Sequence, residues 1–204
     1  MGARSNSSVG QEHNRILDEI FDHLKQVNGL NRENAHEHVY DFFDKRFDRD
    51  LASLAKEYYD KYRDPKYDIY EDVSPPILTE IRKLDDVLDN SDFANMQEFK
   101  KAVLEYVPTS AFTSEQEVMW NNYTDVLVHS TEYWGANLDS WNNLLGSNTS
   151  YDDDDKCPGG WWKRLWCNVK KFAVADANAA LKLAPLATLV SPQFIAGAAA
   201  AAVL

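Results

Sequence analysis

The chain has 204 residues, 44% of them hydrophobic and 12% aromatic, with eight Gly and seven Pro; such a composition supports a folded core and excludes collagen-like, low-complexity and wholly disordered classes. Its 33 Asp/Glu exceed its 21 Lys/Arg, giving a formal charge of −12. That balance argues against a general nucleic-acid binder, which gains affinity by neutralising phosphates with Lys and Arg.

Met1 to Gly10 is polar and carries no apolar h-region, so no secretory signal peptide is read there. Asn6 stands where an N-myristoylation start needs Ser or Thr, and residues 1–11 are read as a flexible N-terminus. From Glu12 to Val27, Ile16, Leu17, Ile20, Phe21, Leu24 and Val27 recur as one helix face, and Asn28-Gly29 supplies the stop. Asn31 is placed to cap a second helical stretch, with Ala35, Val39, Phe42, Phe43 and Phe47 followed by Leu51, Leu54, Ala55, Tyr58 and Tyr59. Periodicity does not decide whether this is one bent helix or two. A Tyr- and Asp-rich loop from Asp64 to Val73 precedes Ser74-Pro75, an N-cap with proline in the first turn, and Ile77, Leu78, Ile81, Leu84, Val87 and Leu88 continue to a stop at Asp89-Asn90-Ser91.

The next helix runs from Asp92 or Phe93 through Met96, Phe99, Val103, Leu104 and Val107 to Pro108. Another starts at Thr113 or Ser114, where Ser114 and Glu117 form a capping-box pattern, and carries Val118, Met119, Tyr123, Val126 and Leu127 on toward Trp134, Leu138, Trp141 and Leu145. With no sustained strand alternation, residues 12–145 read as an acidic all-α, compact bundle-like domain of five or six helices.

Residues 146–160 read as a linker: Gly146-Ser-Asn-Thr-Ser150 is polar, and Asp152 to Asp155 with Lys156 form a charge run that also matches the enteropeptidase recognition sequence. We read it as a native acidic linker. Residues 1–156 hold 16 Lys/Arg and 32 Asp/Glu, a balance of −16, whereas residues 157–204 hold 5 Lys/Arg and one Asp, a balance of +4. The segment 161–204 is therefore expected to be a basic-aromatic, then Ala-rich apolar helical tail. Trp161, Trp162, Lys163, Arg164, Trp166, Lys170 and Lys171 have the composition favoured at a membrane–water boundary. The uncharged stretch from Leu183 to Leu204 is 22 residues long, enough to cross about 30 Å of hydrocarbon as a helix. Pro185 and Pro192 interrupt it, so a hairpin or an interfacial helix competes with a span, and burial in a soluble core is the plain alternative. The stretch ends at Leu204 without a polar terminus, the pattern of a truncated segment.

Cys157 and Cys167 bracket Pro-Gly-Gly-Trp-Trp-Lys-Arg-Leu-Trp. A disulfide between them would present three tryptophans and two cations on one loop and imply an oxidising compartment; two unrelated thiols is the equal alternative. His36-Glu37-His38 fails the zinc-helix spacing, since Tyr40 occupies the position needed for the second His and the two imidazoles lie about 200° apart. Glu33 and His36 are the half of a di-iron signature that the chain contains, without a second Glu-x-x-His, which leaves them weak metal candidates beside solvated histidines as the default. Glu19 with His23 and Asp125 with His129 are ordinary i, i+4 pairs, and His13-Asn14 at the first helix is read as structural. No phosphate loop, nucleophile elbow or Walker pattern occurs. Sequons at Asn6, Asn122 and Asn148 are short enough to arise by chance. No cofactor is expected, and catalysis is the weaker class of hypothesis.

Val9-Gly10-x-x-His13-Asn14-x-x-Leu17-Asp18, taken with Trp162-Lys-Arg-Leu-Trp166 and Val174-Ala-Asp176-Ala, resembles uncharacterised bacterial envelope-associated helical proteins. In those proteins the tail after the Ala-Asp-Ala segment is rich in Gly and Ala. Few glycines occur in the present tail, a departure that counts against glycine-zipper packing. The resemblance implies an envelope location and no activity. The expectation is a non-enzymatic, envelope-associated or secreted protein, with a lipid membrane met by residues 161–204, an unidentified protein partner met by the acidic domain, and no nucleic acid. A membrane-perturbing, bacteriocin-like toxin and a metal-dependent helical enzyme are the alternatives.

Overall fold

A computed structural model of the chain describes residues 8–31, 33–47, 49–64, 66–71, 73–146 and 159–183; the side chains of Leu51, Tyr58, Tyr59, Tyr62, Arg63 and Leu183 lie outside that description. Seven α-helices, and no strand, are found among these residues: α1 (Val9–Lys25), α2 (Ala35–Arg46), α3 (Arg49–Arg63), α4 (Pro75–Asn90), α5 (Met96–Leu104), α6 (Ser114–Leu144) and α7 (Trp161–Leu183). The all-α reading therefore stands, with six helices before residue 146.

Helix boundaries follow local chemistry more closely than periodicity does. α1 opens three residues earlier than its apolar stripe, because the Ser8 hydroxyl accepts from Gln11 N–H while the Gln11 side chain accepts from Ser8 N–H. The break between α2 and α3 comes at Phe47, whose backbone is extended. Asn31 does not cap α2 directly. It organises the preceding turn by accepting from the N–H groups of Glu33 and Asn34, and Asn34 occupies the cap position. α5 is shorter than expected at both ends. Asn95 caps it by accepting from Gln97 and Glu98 N–H, and the chain leaves the helix after Leu104 to wrap residues 106–110 around Glu80. α6 begins one residue earlier than the Ser114–Glu117 pattern implies, because Thr113 and Gln116 form the capping box. Gln116 Nε2 also donates to Ser74 Oγ, which joins the starts of α4 and α6.

The core runs through the whole bundle. Ile16, Leu17, Ile20 and Leu24 of α1, Val39 and Phe43 of α2, Ile77, Ile81, Leu84 and Leu88 of α4, Phe99 of α5, and Trp134 and Trp141 of α6 are all buried. The long α6 is the central element, packed along α7 most extensively and along α1 next. Two glycines allow these approaches. A Cβ on Gly10 would lie 2.5 Å from His129 Cδ2 and 2.6 Å from the Asp125 carbonyl oxygen, and one on Gly135 would lie 2.8 Å from Leu165 Cδ1. Small side chains bring the backbones of α1, α6 and α7 together.

This packing corrects the expected boundary between a helical body and a separate tail. Residues 161–183 belong to the body: Trp162, Trp166, Val169, Ala173, Ala177, Ala180 and Leu181 are part of the same core. Trp162 stacks on Phe99 at 4.7 Å and meets Phe93 edge-on at 5.0 Å. Its Nε1–H donates to the Leu88 carbonyl at 3.0 Å, one of the last-turn carbonyls of α4 that no intrahelical donor reaches. The charge division near residue 150 is real in the sequence, but it does not divide the packing. Of the linker expected at 146–160, residues 147–158 lie outside the described residues, as do residues 184–204.

Candidate functional site

Three arrangements of polar groups stand out, two of them closed and one open to solvent. The first joins α1, α6 and α7. Asp176 is fully buried, and its Oδ2 accepts from Ser130 Oγ at 2.5 Å and Trp134 Nε1 at 2.9 Å, with His13 Nε2 at 3.2 Å. Asn14 Nδ2 donates to the His129 carbonyl, which fixes the amide so that its Oδ1 faces His13 Nδ1 at 3.0 Å. Asn14 Oδ1 can only accept, so His13 Nδ1 donates to it, while Nε2 lies close to the Asp176 carboxylate without a hydrogen bond. At the start of α1, Gly10 N–H donates to Asp125 Oδ2 at 2.7 Å, and Asp125 pairs with His129 at 3.6 Å. Burial lowers the His129 pKa, with the Asp125 charge opposing that shift.

His13 and Asp176, 163 positions apart in the sequence, thus meet in one buried cluster, with Asn14 at its edge. Ser130 bonds to the carboxylate and not to the imidazole, and His13, Ser130 and Asp176 are all fully buried. The geometry is that of a polar fastener between helices, without a nucleophile presented to solvent.

The second arrangement centres on Glu80, a fully buried carboxylate of α4. It accepts from Tyr106 Oη at 2.9 Å, Thr109 N–H at 3.2 Å, Thr109 Oγ1 at 3.0 Å, Ser110 N–H at 3.1 Å, Ser110 Oγ at 2.7 Å and Lys83 Nζ at 2.8 Å. Burial alone would raise its pKa; donation from Lys83, Ser110, Tyr106 and Thr109 outweighs that and holds it well below the usual carboxylate range. Nearby on the same helix, Asp85 shows the reverse balance. Burial raises its pKa to about 6, the Lys170 charge opposes the shift, and Tyr70 Oη donates to it across 3.4 Å.

Glu80 fixes one wall of the third arrangement, an open concavity of about 270 Å³ lined by Pro108, Ser110, Phe112, Glu117, Trp120 and Asn121. Phe112 and Trp120 pack with ring centroids 5.9 Å apart, and Tyr106 backs Trp120 at 5.8 Å. Glu117, Trp120 and Asn121 share a face of α6 by their i, i+3, i+4 spacing. Next in the chain to the lining residues Pro108 and Glu117, Val107 and Val118 are apolar yet exposed, at 79% and 48%.

The residues expected at a membrane boundary divide sharply. Trp162 and Trp166 face inward, and Trp166 Nε1 donates to Asp89 Oδ1 at 2.7 Å. Lys170 Nζ sits 2.8 and 2.7 Å from the two oxygens of the same carboxylate. These three therefore serve the contact between α7 and the end of α4. Trp161 is 43% exposed, and Lys163, Arg164 and Lys171 are exposed; with Cys167 they occupy an arc of about 160° on a helix of 100° per residue. Cys167 is disulfide-bonded, and the chain's other cysteine, Cys157, lies outside the described residues.

Glu33 is exposed and His36 half-buried, the latter packing edge-on against Tyr40 at 6.2 Å. Among the described residues, no group of three His, Cys, Asp or Glu is arranged to hold a metal ion. Glu19 does not pair with His23 as its spacing suggests, but bonds to Arg15 and Arg46. Among the described residues, no helix is long and apolar enough to cross a membrane.

No protein-family model, curated protein or solved structure matches the chain. Fold and site together define an all-α bundle with a closed polar interior and an open aromatic-acidic concavity.

Proposed function

We propose that the protein is a non-enzymatic, membrane-associated helical protein of a bacterial envelope or secreted setting, whose acidic body binds another protein. The observation that carries the membrane part is the exposed side of α7, where Trp161, Lys163, Arg164 and Lys171 lie together and lead toward the uncharged segment after Lys182. An interfacial tryptophan beside cations suits anionic head groups, and each Lys or Arg near such a surface contributes about 1 kcal/mol. The Cys157–Cys167 disulfide and the acidic linker belong to this reading: an oxidised loop would hold the basic face at one end of the bundle, and the linker would stand away from an anionic surface.

The experiment is co-sedimentation with phosphatidylglycerol-containing vesicles, comparing the full chain with the triple variant Lys163→Glu, Arg164→Glu, Lys171→Glu. A chain ending at Lys156 is not a usable control, because it would lose α7 and with it part of the core. Losing three attractive charges, about 3 kcal/mol in all, weakens binding by about a hundredfold, and the three carboxylates that replace them add repulsion, so the variant should bind at least about a hundredfold more weakly. Equal binding by both chains, or none by either, refutes the membrane reading.

A second reading has its own support. Trp162 and Trp166 are sheltered against α4 and α5, and Lys170 is held on Asp89, the arrangement needed if the acidic body masks a membrane-perturbing helix. Asp89→Ala would loosen that latch and should increase dye release from anionic vesicles. Vesicles that stay intact in the presence of this variant reject it.

A further inference from the structure

We propose that the concavity at the start of α6 is a binding site for an organic cation on an aliphatic stem, the basic side chain of a partner polypeptide. This rests on the reading of the acidic body as a protein-binding surface and names what that surface recognises. The cavity of about 270 Å³ falls just below the roughly 300–1,000 Å³ of sites for drug-sized ligands, a size suited to a single inserted side chain.

Its lining selects the chemistry. Phe112 and Trp120 supply aromatic rings, Glu117 a carboxylate, and Ser110 and Asn121 neutral polar groups. No salt bridge to Glu117 is found among the described residues, and the neighbouring cation Lys83 is bonded to Glu80 and Thr109. An anionic group would meet Glu117 as a like charge. A wholly apolar side chain would desolvate Glu117 and Asn121 with nothing in exchange, which is unfavourable. A terminal ammonium or guanidinium matches the carboxylate, while the quadrupole of an aromatic ring attracts the same charge.

The site is also built in advance. Glu80 takes hydrogen bonds from Tyr106, Thr109 and Ser110, so the loop forming one wall is held from below by a buried charge. The Thr113–Gln116 capping box fixes the opposite wall at the first turn of α6. Exposed Val107 and Val118, next in the chain to Pro108 and Glu117, offer apolar contact to the residues flanking the inserted cation. Glu80 is thus a positioning residue, and Glu117 the charged group that meets the ligand.

The test is a ¹H–¹⁵N NMR titration of the full chain with two probes, acetyl-Leu-Lys-Leu-amide and acetyl-Leu-Gln-Leu-amide. The Lys peptide should shift the Trp120 indole N–H and the amides of Ser110 and Asn121, and bind about tenfold more tightly than the Gln peptide, as expected for one charge contact at a part-exposed site. Glu117→Gln, an exposed substitution that leaves the core untouched, should remove that preference while the rest of the spectrum stays in place. An arginine version of the peptide should bind at least as well as the lysine version. Equal binding of the Lys and Gln peptides, shifts confined to other surfaces, or an unchanged preference in Glu117→Gln overturns the proposal. Failure of vesicle binding by the basic face of α7 would leave this result intact, and failure here would leave the membrane reading intact.

Discussion

Trp162 provides the sharpest stability test, because its two roles predict opposite outcomes. As a membrane-interface residue it would stand free of the body, and Trp162→Ala would change lipid binding with little effect on folding. In the structure its indole is fully buried, in contact with Phe93, Phe99 and Trp166. A buried Trp removes about 150–250 Å² from water, so at about 25 cal/mol per Å² the burial contributes roughly 4–6 kcal/mol as an upper bound. Truncations of buried Trp or Phe to Ala cost about 3–5 kcal/mol, in agreement with that figure. Leaving the Leu88 carbonyl without its donor adds about 1 kcal/mol. Urea unfolding of the oxidised protein should therefore show Trp162→Ala destabilised by about 4–6 kcal/mol, a large share of the roughly 5–15 kcal/mol typical of a domain. Trp162→Phe, which keeps a ring but loses the N–H, should fall between. Trp161→Ala, at a 43% exposed position, should change stability by less than about 1 kcal/mol. A Trp162→Ala protein within about 1 kcal/mol of the parent would refute the placement of α7 in the core.

Gly10→Ala should cost about 1–3 kcal/mol in chemical denaturation, because the added methyl meets the Asp125 backbone and the His129 ring. Asp176→Ala should be destabilising by about 2–4 kcal/mol, since it leaves the buried Ser130 hydroxyl and Trp134 indole N–H without their acceptor. Asp85 has a folded pKa of about 6 against an ordinary 3.8, so the fold favours its protonated form and loses that contribution as pH rises from about 4 through 6. Asp85→Asn should therefore gain up to about 3 kcal/mol over the parent above pH 7 and match it below pH 4, measured by urea midpoints across pH. Glu80 runs in the opposite direction: its depressed pKa means stability is present above its ordinary range and lost as pH falls below it, so Glu80→Gln should flatten the acid limb of the curve.

Helical periodicity is a good guide to α1, α4 and α5, which each carry one apolar stripe, whereas the central α6 buries consecutive residues such as Val126, Leu127 and Val128 against several neighbours. Helix ends are less legible, since Thr113 and Ser114 are chemically equivalent caps on paper and Gln116 decides between them through its reciprocal bond. The buried polar sites left a signal of a different kind. His13 precedes Ile16, Leu17 and Ile20 on the same face, and Glu80 lies among Ile77, Ile81 and Leu84. An isolated ionisable residue on an apolar stripe must find partners if the stripe is buried. Periodicity can locate the residue. It cannot name partners such as Asp176, which lies 163 positions from His13 in the sequence and meets it at 3.2 Å.

The α7 segment shows why composition alone does not assign the role of such a helix. Trp beside Lys is favoured where one end of a side chain is apolar and the other meets water or charge, a condition satisfied at a lipid interface and also at the exposed end of a helix bundle. Here the indole N–H groups of Trp162 and Trp166 find the last-turn carbonyl of Leu88 and the carboxylate of Asp89, and Lys170 joins the same carboxylate. Part of the basic charge of residues 157–204 is thus met inside the fold by the acidic body, while Lys182 reaches the Tyr67 hydroxyl at 2.8 Å. The cations of α7 left exposed on its outer arc are Lys163, Arg164 and Lys171. Under the proposed membrane reading, the electrostatic attraction of α7 to an anionic surface comes from that outer arc. Reversing these three charges therefore probes recognition, whereas changing Trp162, Trp166 or Lys170 probes folding.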